Sequence, residues 1–197
     1  MTTASTRSRS AFDDKRERLL RAAARCFNEK GYSGTSLKDV AEQLGLTDAA
    51  IYYYIDGKQQ LVYQCYMRAA DIGRDTLEAA IAAGGNGFDI AHRYLTLHVG
   101  AHCGDEGPIA IMSEIPSLLP AHRDEILSRS REHSRAFEAV LRSGIDDGSI
   151  MDCDVRMTGN AIMGAVNWIP KWFHGDPDVA RDTVSTFPDY LMRGLRP

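Results

Sequence analysis

The sequence predicts an all-α protein, and three observations carry that reading. Apolar residues recur at i, i+3, i+4 and i+7 along most of the chain, and no segment of any length alternates apolar with polar residues. The breaks ("GGNG", "CGDEG", "DDGS", "HGDPD") are Gly/Asp punctuation between long periodic stretches. Helix packed on helix is the architecture left, with a small three-helix head followed by a larger helical bundle.

The elements follow in order. From Asp14 to Lys30, Leu20, Ala23, Ala24 and Phe27 share one face of an amphipathic helix, which "KGYSG" ends. In "TSLKDVAEQLG", Ser36 stands three residues before Asp39, a capping-box-like start, and Leu37, Val40, Ala41 and Leu44 take the same spacing before Gly45. Thr47 is then the N-cap of a third short helix, Asp48 to Ile55, which "DGK" ends. Two short helices joined by a Gly-containing turn spell helix-turn-helix. The rest reads as helices at 58–83, 87–103, 107–115, 120–148, 153–173 and 176–195. Residues 1–11 read as a disordered basic tail, 12–57 as a helix-turn-helix DNA-binding domain and 58–197 as a ligand-binding and dimerisation domain.

At 197 residues the chain can bury a core without staples. Cys26, Cys65, Cys103 and Cys153 are scattered with no CxxC pair, as expected of reduced thiols in a cytoplasmic protein. No apolar run approaches the roughly 20 residues of a membrane span, and no membrane partner is expected. The net charge of -4 argues against a polyanionic partner until its distribution is read. Residues 1–38 carry nine basic against four acidic side chains, +5, which leaves -9 for the remainder. A basic head on an acidic body meets a polyanion at one end only.

The third helix contains three consecutive tyrosines, "IYYYIDGK". At about 100° per residue, Ile51 and Ile55 mark the packing side and Tyr53 points about 180° from their midpoint, flanked by Ala49 and Ala50. Small residues beside one protruding aromatic let the helix approach a major-groove floor, with Tyr53 at a base edge. Tyr52 and Tyr54 sit on the shoulders, where a phenol donates to a phosphate oxygen. The other reading is a core helix whose hydroxyls reach water.

The stretch "RERLLRAAARCFNEKGYSGTSLKDVAEQLGLTDAAIYYYIDGKQQLV" resembles the DNA-binding domain of the TetR family of bacterial transcriptional regulators, with Ala23, Phe27, Gly31, Tyr32, Thr35, Asp39, Ala41, Gly45, Tyr52, Lys58 and Leu61 in the family's pattern. It departs at Asp48, Ile55, Asp56 and Gln59, the last standing where the family often has Glu. The resemblance implies that Ser36, Tyr52, Tyr54 and Lys58 meet phosphates, that Thr35 caps the second helix, and that Lys38, Ala49, Ala50 and Tyr53 approach bases; Thr47 belongs to the same surface. It further implies a homodimer on a pseudo-palindromic double-stranded operator, recognition helices about 34–36 Å apart. Repression is the family default, relieved by a small-molecule effector.

The segment "GNAIMGAVNWIPKWFHGDPDVARDTVSTFPDYLMRGL" resembles the ending of TetR-type regulators that answer to acyl-CoA thioesters. Multidrug- or metal-responsive regulators share the fold, and a helical interaction protein without sequence-specific DNA binding is the reading from a different class. Met112, Ile115, Phe137, Leu141 and Met163 are the expected pocket lining, with Arg123, Arg129 and Lys171 the cations for CoA phosphates. Trp168 and Trp172, at i and i+4, are ligand contacts or interface anchors. Ile162, Val166 and Ile169, with Phe187 and Leu191 of the last helix, are the expected dimer interface, and Pro170 and Pro188 the expected kinks. His98 and His102 have the spacing of half a metal site, but no metal or other cofactor is expected. Nucleophile elbow, phosphate-cradling loop and HExxH are all missing from the chain, which speaks against an enzyme.

Overall fold

The structure, a computed structural model, describes residues 3–104, 115 and 118–197, with side chains for all of these except 3–12 and 48. Among the described residues it is helical without strands: α1 Thr3–Gly34, α2 Leu37–Gln43, α3 Asp48–Ile51, α4 Lys58–Ala82, α5 Gly87–Cys103, α6 Pro120–Asp146, α7 Val155–Asn167, α8 Ile169–Trp172 and α9 Pro177–Met192, closed by a 3₁₀ turn, Arg193–Leu195. Helix α1 begins at Thr3, inside the segment expected to be a disordered tail. Its Ser/Thr/Arg run has neither Gly nor Pro to stop a helix propagating backwards from Asp14. The expected helix at 107–115 lies outside the described residues except for Ile115.

Two apolar clusters are built on these helices. In the head, Leu19, Ala23 and Phe27 of α1 pack on Val40 and Ala41 of α2, on Ile51 and Ile55, and on Leu61, Val62, Cys65 and Tyr66 of α4. Ile115, Leu118 and Ile126 close this cluster from the body side. In the body, Leu77 and Ala80 of α4 join Tyr94 and Leu95 of α5, Phe137 and Leu141 of α6, and Ile162, Val166 and Ile169. Helix α4 therefore serves both cores: the expected boundary at residue 58 falls at its first residue, and its first half packs in the head.

Prolines act differently at their two sites. Pro170 has no N–H to continue the ladder of α7, and the expected helix 153–173 divides there into α7 and α8. Pro188 is buried, and α9 runs through it without interruption. All four cysteines are free, and burial pushes the Cys65 thiol up to about 12 and Cys103 up to about 11, so neither is a reactive thiolate at neutral pH.

The start of α5 lies directly on the end of α6. A Cβ at Gly87 would fall 2.2 Å from the backbone nitrogen of Gly144, and one at Gly144 would fall 2.5 Å from Ile150 Cδ1. Backbone cannot yield as a side-chain tip does. Gly87→Ala is expected to lower unfolding stability by at least about 1–3 kcal/mol, read as the urea midpoint, while DNA binding survives at low temperature.

Candidate nucleic-acid interface

The helix-turn-helix part of the head is assembled by caps. Ser36 and Asp39 form a capping box at α2: the Asp39 amide donates to Ser36 Oγ (3.1 Å) and the Ser36 amide to Asp39 Oδ2 (2.7 Å). Lys30 Nζ lies 2.6 Å from Asp39 Oδ1, and with Ser36 it holds the Asp39 carboxyl well below the usual carboxylate range. Thr47 caps α3, accepting from the Ala50 amide at 3.3 Å. These contacts fix the angle between α2 and α3.

Helix α3 is shorter than expected. Regular helix ends at Ile51, and the Tyr54 and Ile55 amides both donate to the Ile51 carbonyl (2.9 and 3.1 Å), a tightened last turn. Ile51 and Ile55 are buried as the wheel requires, and the tyrosines separate accordingly. Tyr53 is 74% exposed and Tyr52 60%, while Tyr54 is half-buried against the head core and meets Tyr53 edge-on at 5.1 Å. Ala49 and Lys38 are exposed and Ala50 half-buried; Lys38 sits 3.8 Å from Glu42.

Thr35 requires a correction. It is 3% exposed, and its hydroxyl donates to the carbonyls of Cys26 (3.0 Å) and Gly31 (2.8 Å), so its side chain closes the end of α1 and faces no DNA. Ser36, not Thr35, caps α2. The residue that the sequence reading passed over is Tyr32. Its ring lies 4.2 Å beneath Lys58 Nζ and its hydroxyl accepts from Gln59 Nε2 at 2.7 Å, so it holds the first turn of α4. Gln59 Oε1 also accepts from the Leu119 amide at 3.2 Å, a pairing in which the amide both donates and accepts. Glutamate, frequent in the family at this place, has no donor for Tyr32 when ionised.

Comparison with known proteins agrees with this geometry. Residues 19–65 match the model for bacterial regulatory proteins of the tetR family, and residues 92–195 match the tetracyclin repressor-like C-terminal domain. The chain belongs to the TetR family. It is thus a DNA-binding transcriptional regulator, and regulators of this family bind operator DNA and small-molecule effectors and act as dimers. It is 24% identical over 187 residues to the HTH-type transcriptional repressor KstR2 of Rhodococcus jostii (strain RHA1), covering 87% of this chain and 85% of that one. The TetR family regulator PfmR from Thermus thermophilus superposes with a TM-score of 0.75 at 28% identity, over 91% of this chain and 99% of that one. The same fold occurs in AibR, solved in complex with isovaleryl coenzyme A and operator DNA, with a TM-score of 0.72 at 22% identity over 89% and 97%.

In this TetR-family body the expected contacts are redistributed. Met112 lies outside the described residues. Ile115 packs in the head cluster, not on a body pocket. Phe137 and Leu141 are fully buried core, and Met163 is half-buried with its sulfur accepting from the Tyr94 hydroxyl at 3.4 Å. Arg129 is engaged by Asp71 (3.3 Å) and Glu125 (3.7 Å). Ile162, Val166 and Ile169 face inward and are buried by the chain itself, so they are no dimer surface; Phe187 and Leu191 are half-buried against the same core. The opposite face of α7 is the open one: Met157, Ala161, Gly164 and Trp168 follow at i, i+4, i+7 and i+11, all exposed, and Trp168 is 58% exposed. Because the chain divides at Pro170, Trp172 leaves that stripe and stacks edge-on against Phe187 at 5.9 Å. No described helix is long and apolar enough to cross a membrane.

His98 and His102 are buried beside Tyr94 and the half-buried His133. Tyr94 Oη lies 2.8 Å from His133 Nε2, and the His98 ring is 5.2 Å from that of His102 and 6.4 Å from that of His133. Among the described residues no group of three or more His, Cys, Asp or Glu is placed to hold a metal. Burial drives the His102 pKa down to about 4 and lowers His98 and His133 as well, with the neighbouring imidazoles adding to the shift at His98. The unfolded chain, whose histidines titrate near 6.5, binds more protons than the folded one between pH 6.5 and 4. Stability is full above that window and falls as pH drops through it, by on the order of 3 kcal/mol for His102 alone. Urea midpoints measured from pH 7.5 to 4.5 should fall on the acid side, and His102→Leu should flatten the slope.

Proposed function

We propose that the chain is a repressor that binds a pseudo-palindromic operator as a homodimer and is released by a small hydrophobic or acyl-CoA effector. The observation that carries the DNA half is the exposure of Tyr52 and Tyr53 beside Ala49 on a helix anchored from behind by Ile51 and Ile55. Tyr53 reads a base edge, with Lys38, Ala49 and Ala50 bordering it. Tyr52, Tyr54, Ser36, Thr47 and Lys58 line the phosphate track, the Lys58 charge reinforced by the positive end of the α4 helix dipole. The repressor sense is supported by the KstR2 relative, and the effector class by the body's ending and by AibR, whose complex holds isovaleryl coenzyme A and operator DNA.

The dimer surface we assign is the open α7 stripe, Met157, Ala161, Gly164 and Trp168. Small residues between two large apolar ones allow close approach, and a two-fold axis presents the same stripe to itself.

Two measurements test this. With a duplex selected from a random library, Tyr53→Ala should cost about 1–3 kcal/mol and relax preference at one position, whereas Tyr52→Phe should weaken binding evenly across sequences and leave the salt dependence unchanged, because a neutral phenol releases no counterion. Unchanged affinity in Tyr53→Ala removes the base-reading role. In analytical ultracentrifugation Trp168→Glu should sediment as a monomer and lose cooperative DNA binding, while a variant that remains dimeric places the interface elsewhere.

A further inference from the structure

A cavity of about 790 Å³ lies between head and body, the size of a small-molecule site. Arg25 and Asn28 of α1 form one wall; His102, Lys171, Phe173 and His174 form much of the other. The lining combines apolar surface from Phe173, Pro170 and Ala180 with several basic groups, and Glu29 is the one acidic side chain among the described lining residues.

Two features point to a ligand. His102 is 4% exposed, and neither of its ring nitrogens has a hydrogen-bond partner among the described residues. A neutral imidazole carries one donor and one acceptor, and a buried donor left unmet is unfavourable, so a polar group that reached the ring from the cavity would relieve that cost. The second feature is Lys171, whose ammonium donates to the carbonyl of Asn28 at 2.8 Å. Helix α1 leaves helical geometry at Gly31 (φ 70°), and the carbonyls before the break are met by side chains: the Thr35 hydroxyl at Cys26 and Lys171 at Asn28. A cation there is favoured by the negative end of the helix. The body thus holds the first helix of the head through one ammonium that borders the cavity.

We propose that this cavity binds an organic anion with an apolar body, its charged group taken by Lys171 and Arg25 and hydrogen-bonded by His102, and that occupancy loosens the head from the body. The anion neutralises the charge that the end of α1 attracts, so the anion and the α1 terminus compete for one cation. A ligand that binds better when that tie is weakened shifts the chain toward the loosened state. The inference rests on the regulator reading above and gives its effector a chemical class and a site.

The test uses the full chain with octanoate, octanoyl-coenzyme A and neutral octanamide, followed by melting temperature and titration calorimetry. At least one of the two anions is expected to bind and raise the melting temperature, and octanamide is not. Binding of octanoate assigns the charge to a carboxylate, and binding of octanoyl-coenzyme A alone assigns it to phosphates; both support the site. Lys171→Met, at an exposed position and checked by circular dichroism, should weaken anion binding at least tenfold, as should His102→Leu. In the wild type the bound anion should lower affinity for the selected duplex at least tenfold. Failure of both anions to bind, or equal binding to Lys171→Met, overturns the proposal while leaving DNA binding intact. A chain that binds the anion through Lys171 but selects no duplex retains the site and loses the regulator reading.

Discussion

The structure depends on one helix serving two cores. Leu61, Val62, Cys65 and Tyr66 are buried in the head, and Leu77 and Ala80, further along α4, in the body. Its 25 residues span about 37 Å, and close-packed cores at both ends leave little freedom to bend without losing contacts. The head cannot tilt independently of the body's repacking. Beside α4, Ile115, Leu118 and Ile126 join the head cluster from the body side, and polar ties add to them: Gln59 to the Leu119 amide, Tyr63 to Glu125 at 2.7 Å, and Lys171 to the Asn28 carbonyl. A stiff apolar shaft with adjustable polar stays permits small changes in the body to be expressed as a change of head angle.

The head was legible from sequence because its constraints are local. Ile51 and Ile55 lie four residues apart, and burying them leaves Tyr53 no direction but outward. The capping box of Ser36 and Asp39 spans three residues and forms as read. What escaped was non-local: Thr35 looks like a cap for the helix that follows it, and only the approach of α1 shows that its hydroxyl belongs to the helix before. Tyr32 is conspicuous in sequence only as part of a turn, and its contact with Lys58 requires the chain to return 26 residues later.

The body was less legible for a reason visible in α7. That helix is apolar on two faces, Val155, Ile162, Val166 and Ile169 on one and Met157, Ala161, Gly164 and Trp168 on the other. Periodicity identifies both stripes but does not say which one the chain's own helices bury. The β-branched stripe packs inside the monomer against α5 and α6 elements of the body core, and the stripe with small residues remains outside. A Cβ at Gly159 would meet Phe137 at 3.8 Å, whereas one at Gly164 would meet open space. The glycines, not the large residues, carry the distinction, and the sequence presents them identically. The histidines were likewise seen as a pair on α5, while His133, which completes the buried cluster, comes from α6.

One glycine joins the two functions. At Gly31 the backbone adopts φ 70°, which an L side chain rarely takes, and two consequences follow from that single departure. The chain turns so that Tyr32 comes under Lys58 at the start of α4. The turn also ends the regular ladder of α1, leaving Thr35 and Lys171 to meet its carbonyls. A helix continued through this point would satisfy those carbonyls internally and give the body's ammonium nothing to hold. The conformation that sets Tyr32 beneath Lys58 therefore also opens the acceptor through which the body grips the head, so the two contacts are linked by geometry.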